Sequence, residues 1–225
     1  MTNLLDAFDR AARARINENI RAAEAKVGVE ILPVVAMASG DYDRAEDLVG
    51  LWLGAVATGL AWLLFQGVDH DVGWSGEPAV ALGYWTLALI FLVAFVAGVA
   101  LAHRVPWLRR LFIAPRELDR ATVIRAKTVF FDRRVHRTTR GTGILLYVSL
   151  FERRVAVLAD DAVAETMSER ALGEVRDEVL AGLRRRDLAA GLAQGIDRLA
   201  RLLEGLFPSE AGRTDEVPSE VVVIE

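Results

Sequence analysis

The sequence contains no cysteine, which excludes disulfides, thiolate zinc sites and thiol nucleophiles. Histidine is nearly as scarce. His70, His103 and His136 are scattered along the chain, and no pair has the close spacing of a metal motif. No glycine-rich phosphate loop of Walker type occurs; Gly141-Thr142-Gly143 lacks the lysine and the following helix that such a loop requires. The first 25 residues alternate charged and apolar side chains, so no cleavable signal peptide is visible. Internal repeats are also missing. The net charge of -4 points neither toward nor away from nucleic acid. The one strongly basic stretch lacks interleaved aromatics, and no nucleic-acid partner is expected.

Two stretches lack charge altogether. Leu48–Val68 gives about 21 residues, with Thr58 and Gln66 its main polar groups, and Ala79–Ala102 gives about 24 more. A helix needs roughly 20 residues to cross a bilayer core, and both runs qualify. They predict a transmembrane hairpin over 48–102, with spans at 48–68 and 79–102. Its lack of ionisable side chains argues against an ion path. The connecting loop Gly67–Pro78 carries Asp69, Asp71 and Glu77 but no Lys or Arg. From Arg104 to Arg140 there are eleven Lys and Arg against three Asp and Glu. Basic residues remain on the cytoplasmic side, so the loop is expected outside and both termini inside. This puts His70 across the membrane from the other two histidines. Val105–Ile113, which mixes Trp107, Leu108, Leu111 and Phe112 with Arg109 and Arg110, has the composition of an interfacial helix, with Pro115 ending it. Anionic lipid is an expected partner, at about 1 kcal/mol per basic residue near the surface.

The remaining chain has the pattern of an α/β domain. Leu4–Lys26 is amphipathic, with Ile16, Ile20, Ala23 and Val27 at helical spacing. Gly28 is expected to cap this helix at positive φ. Val29–Met37 is a strand, and Pro33 favours an edge or a bulge there. Tyr42–Asp47 starts a helix that runs into the first span. Arg116–Val135 is helical, with Leu118, Ala121, Ile124 or Arg125, and Val129 facing in. Gly143–Leu150 and Arg154–Ala159 form a hairpin whose turn, Glu152-Arg153-Arg154, reads as a solvated turn or an anion site. Ser168 and Asp187 cap the two last long helices. Residues 209–225 are an acidic tail of disordered composition, although Val221–Ile224 could add a strand.

The residues best suited to chemistry are carboxylates. Asp160 and Asp161 follow the second hairpin strand, Asp41 follows the first strand, and Glu165 lies one turn further on. Strand ends are common ligand sites in α/β folds, and hard oxygen ligands suit Ca2+ or Mg2+. The same Asp160-Asp161 pair can simply cap the helix that follows.

Two segments are familiar as a set. Ala22–Tyr42 (AAEAKVGVEILPVVAMASGDY) and Thr142–Asp160 (TGILLYVSLFERRVAVLAD) resemble the TPM domain, the family of the thylakoid lumen acid-phosphatase-like proteins. The arrangement is similar to a bacterial membrane branch with a two-span insertion, and the resemblance extends over residues 10–208. It implies an α/β/α sandwich interrupted by a transmembrane hairpin. The first part of the domain would then be 1–47, and the second 103–208. It also implies two functions. Some members assemble or repair membrane complexes, and others are metal-dependent acid phosphatases with acidic residues at the sheet ends. The expectation here is an interaction or assembly factor at the cytoplasmic face of a bacterial plasma membrane, with protein partners or a homo-oligomer. The alternative is a phosphatase using Asp160 and Asp161 as catalytic or metal-binding groups, with Asp41 as a third ligand.

Overall fold

The computed structural model describes residues 10–65, 83–209 and 217–224. It divides into two compact units, Met1–Gly40 with Pro115–Glu225, and Asp41–Ala114.

The first unit is built on a four-stranded sheet: β1 (Glu30–Ala36), β2 (Gly143–Ser149), β3 (Arg154–Ala159) and β4 (Val222–Ile224), in the order β3-β2-β1-β4. β1 runs parallel to both neighbours, and β2 is antiparallel to β3. Alternation along the strands separates two cores. Ile31, Val35, Ile144, Leu146, Val148 and Val155 face one layer, formed by helices α1 (Arg10–Lys26), α7 (Glu169–Arg184) and α8 (Leu188–Leu203). Leu32, Val34, Leu145, Tyr147 and Ala156 face the other, where helix α5 (Pro115–Asp132) contributes Ala126, Val129 and Phe130. This is the expected sandwich.

Pro33 lies in an internal strand, which corrects the edge expectation, and the reason is local. β4 reaches only Val34. The Glu30 N–H donates toward β2, to Thr142 O, and the Met37 N–H donates toward β4, to Ile224 O. By alternation the nitrogen of Pro33 faces the β4 side, just beyond the last β4 pair, so its missing N–H costs no ladder bond. Two residues earlier, the Ile31 N–H on that same open side is taken up by the buried Glu24 carboxylate at 2.9 Å.

Three other expectations are corrected. Gly28 does not adopt positive φ; a Cβ there would sit 2.7 Å from the Pro208 carbonyl oxygen, so glycine is required for a close approach. The inner face of α5 runs through Leu118, Thr122, Ala126, Val129 and Phe130, leaving Ile124 exposed. The end of the acidic tail is ordered against β1, with Val217 and Val221 buried. Both long-helix caps form: Ser168 Oγ accepts from Ala171 N at 3.3 Å and Asp187 Oδ1 from Ala190 N at 3.0 Å.

The second unit holds α2 (Asp43–Phe65), α3 (Tyr84–Arg104) and α4 (Pro106–Leu111). The expected residues 66–82, including the loop and the inner ends of both runs, lie outside the described residues. α2 and α3 pack through small residues: a Cβ on Gly98 would sit 2.8 Å from the Gly50 Cα, and Gly54 lies against Phe91. The remaining faces are apolar and exposed, with Leu51, Trp52, Leu60 and Leu63 on α2 and Trp85, Leu89, Leu92 and Val96 on α3. At the base, Glu46 accepts from Arg109 at 2.8 Å and lies 3.4 Å from His103 Nδ1. Trp107 and Leu111 stay exposed on α4. Pro115 does not end this helix but begins α5, because its fixed φ suits a first helical position where no N–H is needed.

Candidate functional site

The sheet brings polar side chains together at both of its ends. At the end where β1 and β2 start, Asp160 follows β3. Its N–H donates to the Gly143 carbonyl at 2.8 Å. Glu30 pairs with Gly143 from the other side. Residues directly opposite share a face, so Glu30 and Asp160 flank Gly143 on one side of the sheet, about 10 Å apart at Cα by strand spacing. Glu30 is buried, and Asp160 is only 7% exposed. Asp160 Oδ1 accepts from the Asp161 N–H at 3.0 Å and caps the short helix α6 (Asp161–Thr166). Its other oxygen, Oδ2, is buried with no hydrogen-bond partner among the described residues. It sits over Gly141, whose φ of +65° lets the backbone pass closely. The loop beneath is closed by Thr138, whose Oγ1 accepts from Thr142 N at 2.8 Å.

Asp161 stands exposed in the first turn of α6. Asp41 belongs to the other unit, and the segment leading to it leaves the sheet where β1 stops, the end opposite Asp160. Glu165 is exposed on α6. Among the described residues, no group of three or more His, Asp or Glu side chains is arranged to hold a metal ion. Asp160 with its open buried oxygen is the only part of the expected set with an unmet demand for a ligand.

The opposite end holds a cluster that sequence reasoning missed. Glu152, in the β2–β3 turn, is 0% exposed, so the turn is not a solvated one. Its Oε1 accepts from Ser39 N at 2.8 Å, and its Oε2 accepts from Ser149 Oγ. Ser39 Oγ donates to Ser149 Oγ at 2.8 Å and lies 3.0 Å from Tyr147 Oη. Burial pushes the Tyr147 phenol above its usual pKa; the Ser39 hydrogen bond opposes this and the Glu152 charge adds to it. The turn can tuck Glu152 inward because Arg153 takes φ +51°. Chemically, a buried carboxylate collects a backbone N–H and a chain of hydroxyls, fastening the hairpin turn to the segment that leaves β1. A carboxylate so placed is costly unless bonded, which is why removing one partner matters here.

Residues 113–202 match the model of the TPM domain. The matched stretch takes in α5, the β2–β3 hairpin, α6, α7 and most of α8, and leaves β1, β4 and the apolar hairpin outside. No curated protein matches the chain. Among solved structures, the chain is similar to the NMR structure of the BA42 protein from the psychrophilic bacterium Bizionia argentinensis, with 14% identity, 96% of this chain and 94% of that chain covered, and a TM-score of 0.55. At that identity the likeness is one of fold. It agrees with the mixed α/β architecture of a four-stranded sheet packed with helices.

Proposed function

We propose that this is a bacterial plasma-membrane protein with two spans and both termini in the cytoplasm, whose TPM-like domain acts there as an interaction or assembly factor. The observation that supports it best is the exposure of α2 and α3. Their most apolar windows have mean hydropathies of 2.0 and 2.5, yet only 17% and 11% of each window is buried. Core helices of a soluble domain bury such surface, and contiguous exposed apolar patches beyond a few hundred Å2 mark an interaction with membrane or protein. The charge asymmetry around the hairpin supports the orientation. The chain has no cysteine, so single cysteines report cleanly. A cysteine replacing Gly73 is expected to react with an impermeant thiol reagent on intact cells, and one replacing Ser209 to react only after permeabilisation. The reverse pattern would overturn the orientation.

The second reading, a metal-dependent phosphatase, is favoured by one observation, the partnerless buried Oδ2 of Asp160. Ca2+ takes six to eight oxygen ligands, and the described carboxylates do not supply a cage around that atom, so the donor set does not fit a resident cation. Replacing Asp160 and Asp161 together by Asn separates the readings. Asn caps nearly as well as Asp, so an assembly factor should lose less than about 1 kcal/mol and show no melting shift with Ca2+ or Mg2+. A metal site would raise the parent melting temperature with cation, since saturation at a hundred times Kd contributes about 2.7 kcal/mol. Loss of that rise and of phosphomonoesterase activity in the double variant would move the assignment to the hydrolase.

A further inference from the structure

We propose that the outer face of α5 is a lipid-docking surface, on which arginine and lysine side chains meet the anionic headgroups of a bilayer while Ile124 and Phe131 enter the headgroup layer. This deepens the proposed membrane reading and rests on it, naming the partner and the face that meets it.

The spacing along α5 sets two faces. Leu118, Thr122, Ala126, Val129 and Phe130 point into the core. Arg116, Arg120, Ile124, Lys127 and Phe131 follow one another at steps of four, four, three and four, which gathers them in one stripe away from it. All five are exposed, Ile124 by 54% and Phe131 by 57%. Among the described residues of the α/β unit, the large apolar side chains left exposed are Val123, Ile124, Phe131 and Leu206. Three of these four lie on α5. Apolar residues scattered singly over a surface need no partner, whereas a cluster points to one.

The cations of the stripe are also unsatisfied. Arg109, Arg154, Arg176 and Arg198 each lie against a carboxylate. Among the described residues, no carboxylate lies within ion-pair distance of Arg116, Arg120 or Lys127. Of the acids on α5, Asp119 is taken by Arg154, Asp132 is the last residue, and Glu117 stands beside the stripe in the first turn, where it suits the helix dipole. The stripe therefore has two demands, negative charge and a place for apolar side chains. The interface of an anionic bilayer meets both.

Connectivity selects the bilayer over other polyanions. Only Phe112-Ile113-Ala114 lie between the end of α4 and the start of α5, and only Val105 lies between α3 and α4. In the membrane reading, α3 is a span and α4 carries the exposed Trp107 and Leu111. The chain itself then holds the stripe close to the cytoplasmic leaflet, at an effective concentration that a free acidic partner would have to match.

The test uses the full chain in nanodiscs of phosphatidylcholine alone, or of an equimolar mixture with phosphatidylglycerol. The chain has no cysteine. Thr128→Cys, exposed and a helical neighbour of Ile124 and Phe131, carries an environment-sensitive dye without removing a stripe residue. Arg170→Cys on α7 carries the control dye. The dye at 128 should shift to the blue and be shielded from an aqueous quencher in the anionic discs only, and high salt should weaken this. The dye at 170 should stay accessible in both. Arg120→Glu with Lys127→Glu should cut the ratio of docked to undocked chain by about tenfold or more, at an unchanged melting temperature. Equal shielding in the two lipids overturns the proposal, as does a double Glu variant that folds and docks like the parent. If that variant does not fold, shielding of the parent that ignores salt overturns the proposal instead. Alkaline extraction separates the two readings. Release of the chain by alkali sinks the membrane reading, whereas a chain that resists alkali with the dye at 128 accessible in both lipids sinks the docking surface alone. Shielding that appears only on adding polyglutamate or RNA to the discs would assign the stripe to a soluble polyanion and overturn it as well.

Discussion

Expressed alone, residues 104–208 are expected to aggregate, or to remain without a cooperative unfolding transition. This segment holds the whole of the stretch that matches the TPM model, yet it lacks the strand at the centre of the sheet. β1 pairs with β2 along seven residues. It supplies Ile31 and Val35 to one core and Leu32, Val34 and Ala36 to the other, while α1 adds Ile16 and Ile20. Burying an aliphatic side chain of this size contributes roughly 1.5–3 kcal/mol. Losing six or more of them removes about 10 kcal/mol, comparable with the whole stability of an ordinary domain. The fragment would also expose both edges of β2–β3. Denaturant titration followed by circular dichroism checks this, and a single sharp transition in the fragment would show that the N-terminal part lies outside the core.

Gly143→Val is expected to be the most damaging single substitution in the sheet. A Cβ at this position would overlap the Val135 carbonyl oxygen and press on the Val135 side chain. The obstacle is backbone, held by the one-turn 3-10 helix Val135–Arg137, so it cannot turn aside as a flexible side chain could. Gly143 also pairs with Glu30 and accepts from Asp160 N, so a shift of its backbone disturbs β1 and β3 together. Overpacking ordinarily costs about 1–3 kcal/mol; a backbone overlap that disturbs three strands at once should exceed the upper figure. Gly173→Ala is the contrasting case. Its Cβ enters open space within α7, and replacing a helical glycine by alanine should gain about 0.5–1 kcal/mol. Thermal unfolding of both variants beside the parent gives the comparison. A Gly143→Val protein within about 1 kcal/mol of the parent, the low end of the overpacking range, would show that Val135 yields.

Much of the fold was legible because it depends on composition and short-range pattern. The two long apolar helices stand out by the absence of charge. β1 and the hairpin strands are runs of β-branched and aliphatic residues, and Ser168 and Asp187 sit where caps are needed. What was not legible depends on contacts between distant segments. Glu152 looked solvated because charged turns usually are; its burial comes from Ser39, more than a hundred residues away. Gly28 looked like a cap because glycine follows a helix there, but its reason is Pro208. Pro115 looked like a stop because a hydrophobic helix precedes it, and proline is equally suited to starting one. The three residues of β4 follow an acidic stretch, and only pairing with β1 shows them to be a strand. Of the site, Asp160 was visible as a carboxylate at a strand end. Its unpaired oxygen became apparent only once Gly141 and the Thr138 loop were in place.

The arrangement proposed for this chain is one α/β domain interrupted by a membrane hairpin. Replacing Asp41–Ala114 with a flexible Gly/Ser linker joining Gly40 to Pro115 tests it most directly, beside alkaline extraction of the full chain from membranes. The full chain should stay with the membrane pellet, and the linker variant should be soluble and unfold in a single cooperative transition. Release of the full chain by alkali, or a linker variant without a cooperative transition, would contradict it.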